Sequence, residues 1–179
     1  YNAAFANPFS ELREKLDQQI AGLFPNSSRR ESIDQCVLEI DRRIKMLEKQ
    51  GRADINAYQN QDRELISIVF LFDIFHKFRD DFDRLIKEQI KAQDTPVPVP
   101  FAREVMQILH AKGFTDSQAC HYMALSYQLR RAFYFISNSL VGTCPSMTTL
   151  KKHLWYNVFT HNMKLYNEHL WNKMEDFST

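Results

Sequence analysis

The sequence predicts an all-α protein, a multi-helix bundle of about seven helices with no significant sheet. Three observations carry this. Only four glycines occur in 179 residues and turn-forming clusters are few, which disfavours a fold of many short strands. Apolar residues recur at spacings of three and four along most of the chain, the mark of helices with one buried face. Candidate caps and breakers fall at the ends of those periodic stretches rather than inside them. At 44% apolar and 25% charged residues, the composition is that of a folded chain with one sizeable core, or one domain plus part of another.

Taken in order, Asn7-Pro8 reads as an N-cap followed by proline at the first helical position. It opens a helix with an apolar face of Phe9, Leu12, Leu16, Ile20 and Leu23, which Pro25 ends. Ser28 with Glu31 has the capping-box pattern. Ile33, Val37, Ile40, Ile44 and Leu47 then form a short seam suited to a bundle helix, and Gly51 supplies its C-terminal stop. A long third helix is expected over about 62–92. Its first half is apolar nearly all round and therefore central; its second half narrows to Phe78, Phe82, Leu85, Ile86 and Ile90. The alternating prolines of residues 93–100 cannot continue a helix and mark the clearest boundary.

A short helix over about 101–112 closes at Gly113. Thr115 with Gln118 fits a capping box and opens a helix over about 115–137. Between Asp116 and Arg130 this helix carries no Asp, Glu, Lys or Arg, so it is expected to pack on the central helix or on another protomer. Its aromatic face, Tyr122, Tyr127, Phe133, Tyr134 and Phe135, reads as core, with a ligand pocket or a dimer surface as the alternative. Ser146 is the expected cap of a helix carrying Met147, Leu150, Leu154 and Val158. A last helix starts near Asn162 and carries Met163, Tyr166, Leu170, Trp171 and Met174.

Several function classes find no support in the residues. A net charge of +1 gives no global field for nucleic acid. A helix-turn-helix built on the Gly113 turn would place Cys120, Tyr122 and Met123 where base-reading and phosphate-contacting side chains belong, so direct nucleic-acid binding is not expected. Cys36, Cys120 and Cys144 are odd in number and widely spaced, which points to a reducing cytoplasm rather than a disulfide framework. No signal-peptide pattern opens the chain, and the most apolar run, residues 65–75, is too short to span a bilayer. The chain begins at Tyr1 and stops at Thr179 without a terminus signal, and a fragment of a longer protein is expected.

Few residue patterns in the chain point to chemistry. No two glycines lie close enough for a phosphate-cradling loop, no HExxH occurs, and no metal site is expected. Asp73 lies inside the most apolar run, where a carboxylate is costly unless paired; Lys77, one turn on, is its expected partner. His121 follows Cys120 on the uncharged helix, where a core histidine is the simpler reading. Asp73 and His121 are the candidate ligand or switch residues. His76 with Asp80, and Asp80 with Arg84, read as a solvated salt-bridged face.

Residues 140–147, LVGTCPSM, follow the uncharged helix and resemble the opening of the ATPase domain in sigma-54-dependent transcription activators, the bacterial enhancer-binding proteins of the AAA+ class. That family opens with a hydrophobic residue, Val or Ile, Gly, a variable residue, Ser, Pro, a small residue and Met. Val141, Gly142, Pro145, Ser146 and Met147 match; Cys144 replaces the usual Ser, and the segment that follows is longer than the family's. The resemblance implies a helical regulatory bundle at 1–92, a Pro-rich linker at 93–100, a helical hairpin packed on the bundle at 101–139, and the start of a truncated ATPase domain at 140–179. It places Val141 and Gly142 on the adenine side of a nucleotide site. ATP and Mg²⁺ would be bound by the full-length protein, and sigma-54 RNA polymerase and promoter DNA engaged through regions absent here, with self-association through helical surfaces. This segment, without a Walker A loop, is not expected to be an enzyme. The alternative is a stand-alone helical interaction or scaffold domain.

Overall fold

The computed structural model describes residues 6–22 and 28–173, and among these every regular element is a helix. Seven helices carry the fold: α1 (Glu11–Ala21), α2 (Arg29–Lys49), α3 (Asn60–Lys77), α4 (Arg79–Ala92), α5 (Ala102–Ala111), α6 (Asp116–Ser139) and α7 (Pro145–Phe159). A 3-10 turn, Ile55–Ala57, precedes α3, and a helical turn, Met163–Leu165, runs into a π-helical turn, Tyr166–Leu170. Among the described residues no helix is long and apolar enough to cross a membrane.

Local signals set most boundaries. Gly51 adopts φ 66° beyond α2, and the Arg52 amide reaches back to the Leu47 carbonyl at 2.9 Å, closing the helix end. Gly113 adopts φ 87° after α5, and a Cβ there would run into Asp54 Oδ1. The capping box of α6 is complete: Thr115 Oγ1 accepts from the Gln118 amide at 3.3 Å, and Gln118 Oε1 accepts from the Thr115 amide at 3.0 Å.

Two cores form. In the first, Ile44 of α2, Phe70 and Ile74 of α3, Phe82 of α4, Leu109 of α5 and Ala119 of α6 meet, with Phe78, Phe101 and Phe114 from the connections. In the second, Leu125, Leu129 and Ile136 of α6 pack with Trp155 and Phe159 of α7 and with Tyr166. α6 is common to both. The segment after Leu140 therefore shares a core with α6.

The structure departs from the sequence expectation at several points. Over 62–92 there are two helices, because Phe78 leaves helical geometry (φ −96°, ψ 14°). The break lets Phe78 stack on Phe101 at 5.8 Å while Phe82 meets the same ring edge-on at 5.1 Å. α1 starts later than expected: Ser10 is its cap, and Asn7 instead accepts the Phe9 amide on its side chain in a preceding turn. Leu12 is 58% exposed, and α1 buries Arg13, Asp17 and Gln18. α1 ends at Ala21 on Gly22, at φ 66°, ahead of the expected stop at Pro25; Leu23, Pro25 and Met174 themselves lie outside the described residues. Ser28 accepts from the Glu31 amide at 3.3 Å, the N-cap half of its box. α7 is capped at Cys144 with Pro145 in its first turn, and Ser146 is already helical.

Candidate ligand cavity between the helices

A cavity of about 610 Å³ opens between α1, α2, α3 and α6. Its apolar wall comes from Leu71, Phe72 and Phe75 of α3, from Leu125, Leu129 and Phe133 of α6, and from Trp155 of α7. The uncharged stretch of α6 is what makes the long apolar side possible, since no Lys, Glu or Asp stem has to be carried out to water there. The chain ahead of α1 seals one end. Phe9 stacks on Phe133 at 5.5 Å and meets Trp155 edge-on at 6.2 Å, and Asn7 Nδ2 donates to the Lys152 carbonyl at 2.9 Å.

Against this apolar wall stand charged groups: Arg13 and Asp17 of α1, Arg29 and Arg30 of α2, Arg79 and Asp80 of α4, and Arg130 of α6. Most are neutralised locally. Arg13 Nε donates to both oxygens of Asp17, at 2.8 and 2.9 Å, and its guanidinium lies 5.1 Å from the centre of the Phe72 ring. Arg130 makes a two-pronged pair with Asp83 at 2.7 and 2.6 Å. Arg79 is shared between Asp34 at 3.5 Å and Asp80 at 3.3 Å. That the buried face of α1 is polar follows from these contacts: an i,i+4 ion pair with an aromatic platform beneath it is buried without an orphaned charge.

Arg29 and Arg30 differ. Arg29 Nη2 donates to the Ser10 carbonyl at 3.0 Å, a neutral partner, and burial lowers its pKa more than Glu14 and Asp17 nearby raise it. Arg30 makes no hydrogen bond or ion pair among the described residues. His76 is the third unusual group. It packs against Phe72 at 4.4 Å and Phe75 at 5.1 Å, and its Nδ1 is buried without a hydrogen-bond partner among the described residues. Burial, then the charges of Arg13, Arg79 and Arg130, push its pKa from 6.5 down to about 3, so the ring is neutral at physiological pH. The expected pairing of His76 with Asp80 is absent; Asp80 pairs with Arg79, and Arg84 with Asp81 at 3.1 Å. Cys36, fully buried in α2, has its thiol pushed up to about 12 by burial and by the neighbouring Asp17 carboxylate.

The residues singled out in the sequence lie elsewhere. Asp73 is half-buried, and burial followed by repulsion from Asp41 raises its pKa. Lys77 pairs with Glu104 at 3.4 Å rather than with Asp73. His121 Nε2 lies 2.8 Å from Asn167 Oδ1, and its ring meets Trp171 edge-on at 4.4 Å; this histidine fastens α6 to the C-terminal turns. Val141 is 85% exposed, and Gly142, at φ 135°, has its carbonyl held by Lys151 Nζ at 3.3 Å. Among the described residues no group of three or more His, Cys, Asp or Glu is arranged to hold a metal ion. The structure brings Tyr122 and Phe133, from the aromatic face noted in the sequence, to the cavity, and neither Asp73 nor His121. Arg13, Arg29, Arg30 and His76 were missed. The logic applied to Asp73, a titratable group inside an apolar run, would have found His76 three residues on; nothing in the sequence ties Arg29 and Arg30 to α6.

No family model, no curated protein and no solved structure matches the chain.

Proposed function

We propose that the chain is the N-terminal regulatory domain of a cytoplasmic sigma-54-dependent transcriptional activator ATPase, with residues 1–139 as the sensing module and residues 140–179 as the opening of the motor domain. The observation that supports this reading is the path of α6. One face of it walls the cavity through Leu125, Leu129 and Phe133, and six residues after Phe133 the helix ends and leads directly into the LVGTCPSM segment. A molecule filling the cavity would bear on α6, which ends where this segment starts, and on Trp155 of α7, which begins within it at Pro145. A small shift of a packed helix is a known way to pass such a signal on.

In this reading ATP and Mg²⁺ supply the phosphoryl-transfer chemistry, and sigma-54 RNA polymerase and promoter DNA are engaged by other regions of the parent protein. The described residues do not by themselves fit a nucleotide. Val141 faces solvent, the Gly142 carbonyl is taken by Lys151, and no phosphate-cradling loop occurs among them. No ATP-dependent step is therefore assigned to this segment, which is not expected to be an enzyme. Self-association through helical surfaces belongs to the same reading.

The test compares ATPase activity, assembly and sigma-54-dependent transcription of the full protein with and without residues 1–139. Unchanged values in all three would sink the regulatory role. Reading the gene beyond Thr179 tests the parent: a GETGTGK-like loop is expected, and a stop codon would leave a stand-alone helical interaction domain instead.

A further inference from the structure

We propose that the cavity binds an amphiphilic carboxylate, an alkyl or aryl carboxylic acid whose apolar body lies between α3 and α6 and whose carboxylate sits against Arg29 and Arg30 at the start of α2. Three observations converge on this class. The size, about 610 Å³, falls within the range of small-molecule sites, roughly 300–1,000 Å³. The walls are largely aromatic and aliphatic, which gives an apolar body its driving force and offers little to a sugar or a bare inorganic anion. The charge left over is positive. Arg13, Arg79 and Arg130 each ion-pair with a carboxylate, whereas among the described residues Arg29 hydrogen-bonds only to a backbone carbonyl, with Glu14 and Asp17 acting on it through space, and Arg30 has no hydrogen bond or ion pair. The start of α2 adds its own positive field to these two side chains.

Other ligand classes fit worse. A neutral hydrocarbon would fill the apolar wall and leave the half-buried Arg29 further desolvated without a new partner. A cation would meet a lining of five arginines and two aspartates. A carboxylate answers both, because a guanidinium presents a fork that matches its two oxygens. His76 supplies a further contact inside: its buried, unpartnered Nδ1 can donate to, or accept from, a polar atom of the ligand, depending on tautomer.

The biological role of such binding rests on the sensory reading above; the binding itself does not. The experiment is calorimetric titration of the 179-residue chain with decanoate, naphthoate, the matching alcohols decanol and naphthylmethanol, and inorganic phosphate. At least one acid is expected to bind one-to-one and roughly tenfold or more tighter than its alcohol, the margin of a charge-assisted hydrogen bond. Which acid binds tells an alkyl from an aryl frame. Arg30→Gln, at an exposed residue with no hydrogen bond or ion pair to lose among the described residues, is expected to remove most of that margin with an unchanged melting temperature. Ser126→Phe, which fills the cavity from α6, is expected to abolish binding of the acid. Binding of neither acid, alcohols as tight as acids, full competition by phosphate, or affinity untouched by Arg30→Gln would each overturn the proposal. Acid binding in a parent whose activity ignores removal of residues 1–139 would uphold this inference and refute the sensory role.

Discussion

The two halves of α6 meet opposite surroundings. Its first turns, from Ala119, enter a filled apolar core with Phe70, Phe82, Leu109 and Phe114. Its later turns, from Leu125 to Phe133, face a cavity edged by arginines and by His76, whose Nδ1 has no hydrogen-bond partner among the described residues. One helix serves both, with its uncharged stretch running from Ser117 to Leu129. What differs is the opposing surface: α5 presents an apolar stripe, whereas α1 presents Arg13 and Asp17. A filled core contributes stability and little else. A wall that leaves space and unpaired positive charge forgoes some of that stability, which is the pattern expected where a ligand binds.

Truncating one leucine in each half breaks the comparison most directly. Leu109→Ala, in the filled core, is expected to cost about 3–5 kcal/mol in chemical denaturation, because nothing collapses into the void. Leu129→Ala, at the cavity wall, is expected to cost less, about 2–3 kcal/mol, since that side chain already lacks neighbours on one side. Equal losses would mean that the cavity is closed in solution.

A pH series probes the cavity side alone. His76 has a folded pKa of about 3 against an ordinary 6.5, so between these values the unfolded chain binds the extra proton and the folded chain does not. Its contribution is fully present above pH 6.5 and declines as pH falls towards 3, by about 1–2 kcal/mol at pH 5. Arg13, Arg79 and Arg130 all act in that direction, while Asp17 and Asp80 are the acids lining the same space. Glu39, held down to about 2 by Arg42 and Arg43, loses its contribution only below about 4.5, and Asp73, with its raised pKa, acts in the opposite sense. Subtracting the profile of His76→Phe from that of the wild type isolates the histidine; parallel profiles between pH 5 and 7 would show that His76 titrates normally.

The smallest effect sharpens the filled end. Thr115→Ala removes the side-chain acceptor of the capping box and is expected to cost about 1 kcal/mol, read as a small drop in the thermal midpoint.

Much of the fold was legible because it is written locally. Gly51, Gly113 and the Thr115–Gln118 box act through their own backbone neighbours, and the stripes of α4 and α5 repeat at helical spacing whatever they pack against. Most of the failures share one cause. The face of α1, the break at Phe78 and the loss of the Asp73–Lys77 pair were each decided by a partner distant in sequence: Phe72 under Arg13, Phe101 against Phe78, Glu104 beside Lys77, whereas the His76–Asp80 pair gave way to Arg79, the neighbour of Asp80 in sequence. Spacing rules rank the partners within one helix and are blind to those on another.

An all-α chain, most of its caps and stops, and an uncharged helix that had to be covered can all be read from residue order. What covers that helix depends on how the elements pack. Arginines from α1, α2 and α4 were brought against the aromatic face of α6, and two of them form no ion pair with a carboxylate among the described residues. The physical reason is one of range. Helix propensity and capping act over a few residues, whereas the burial and pairing of charge depend on which surfaces meet.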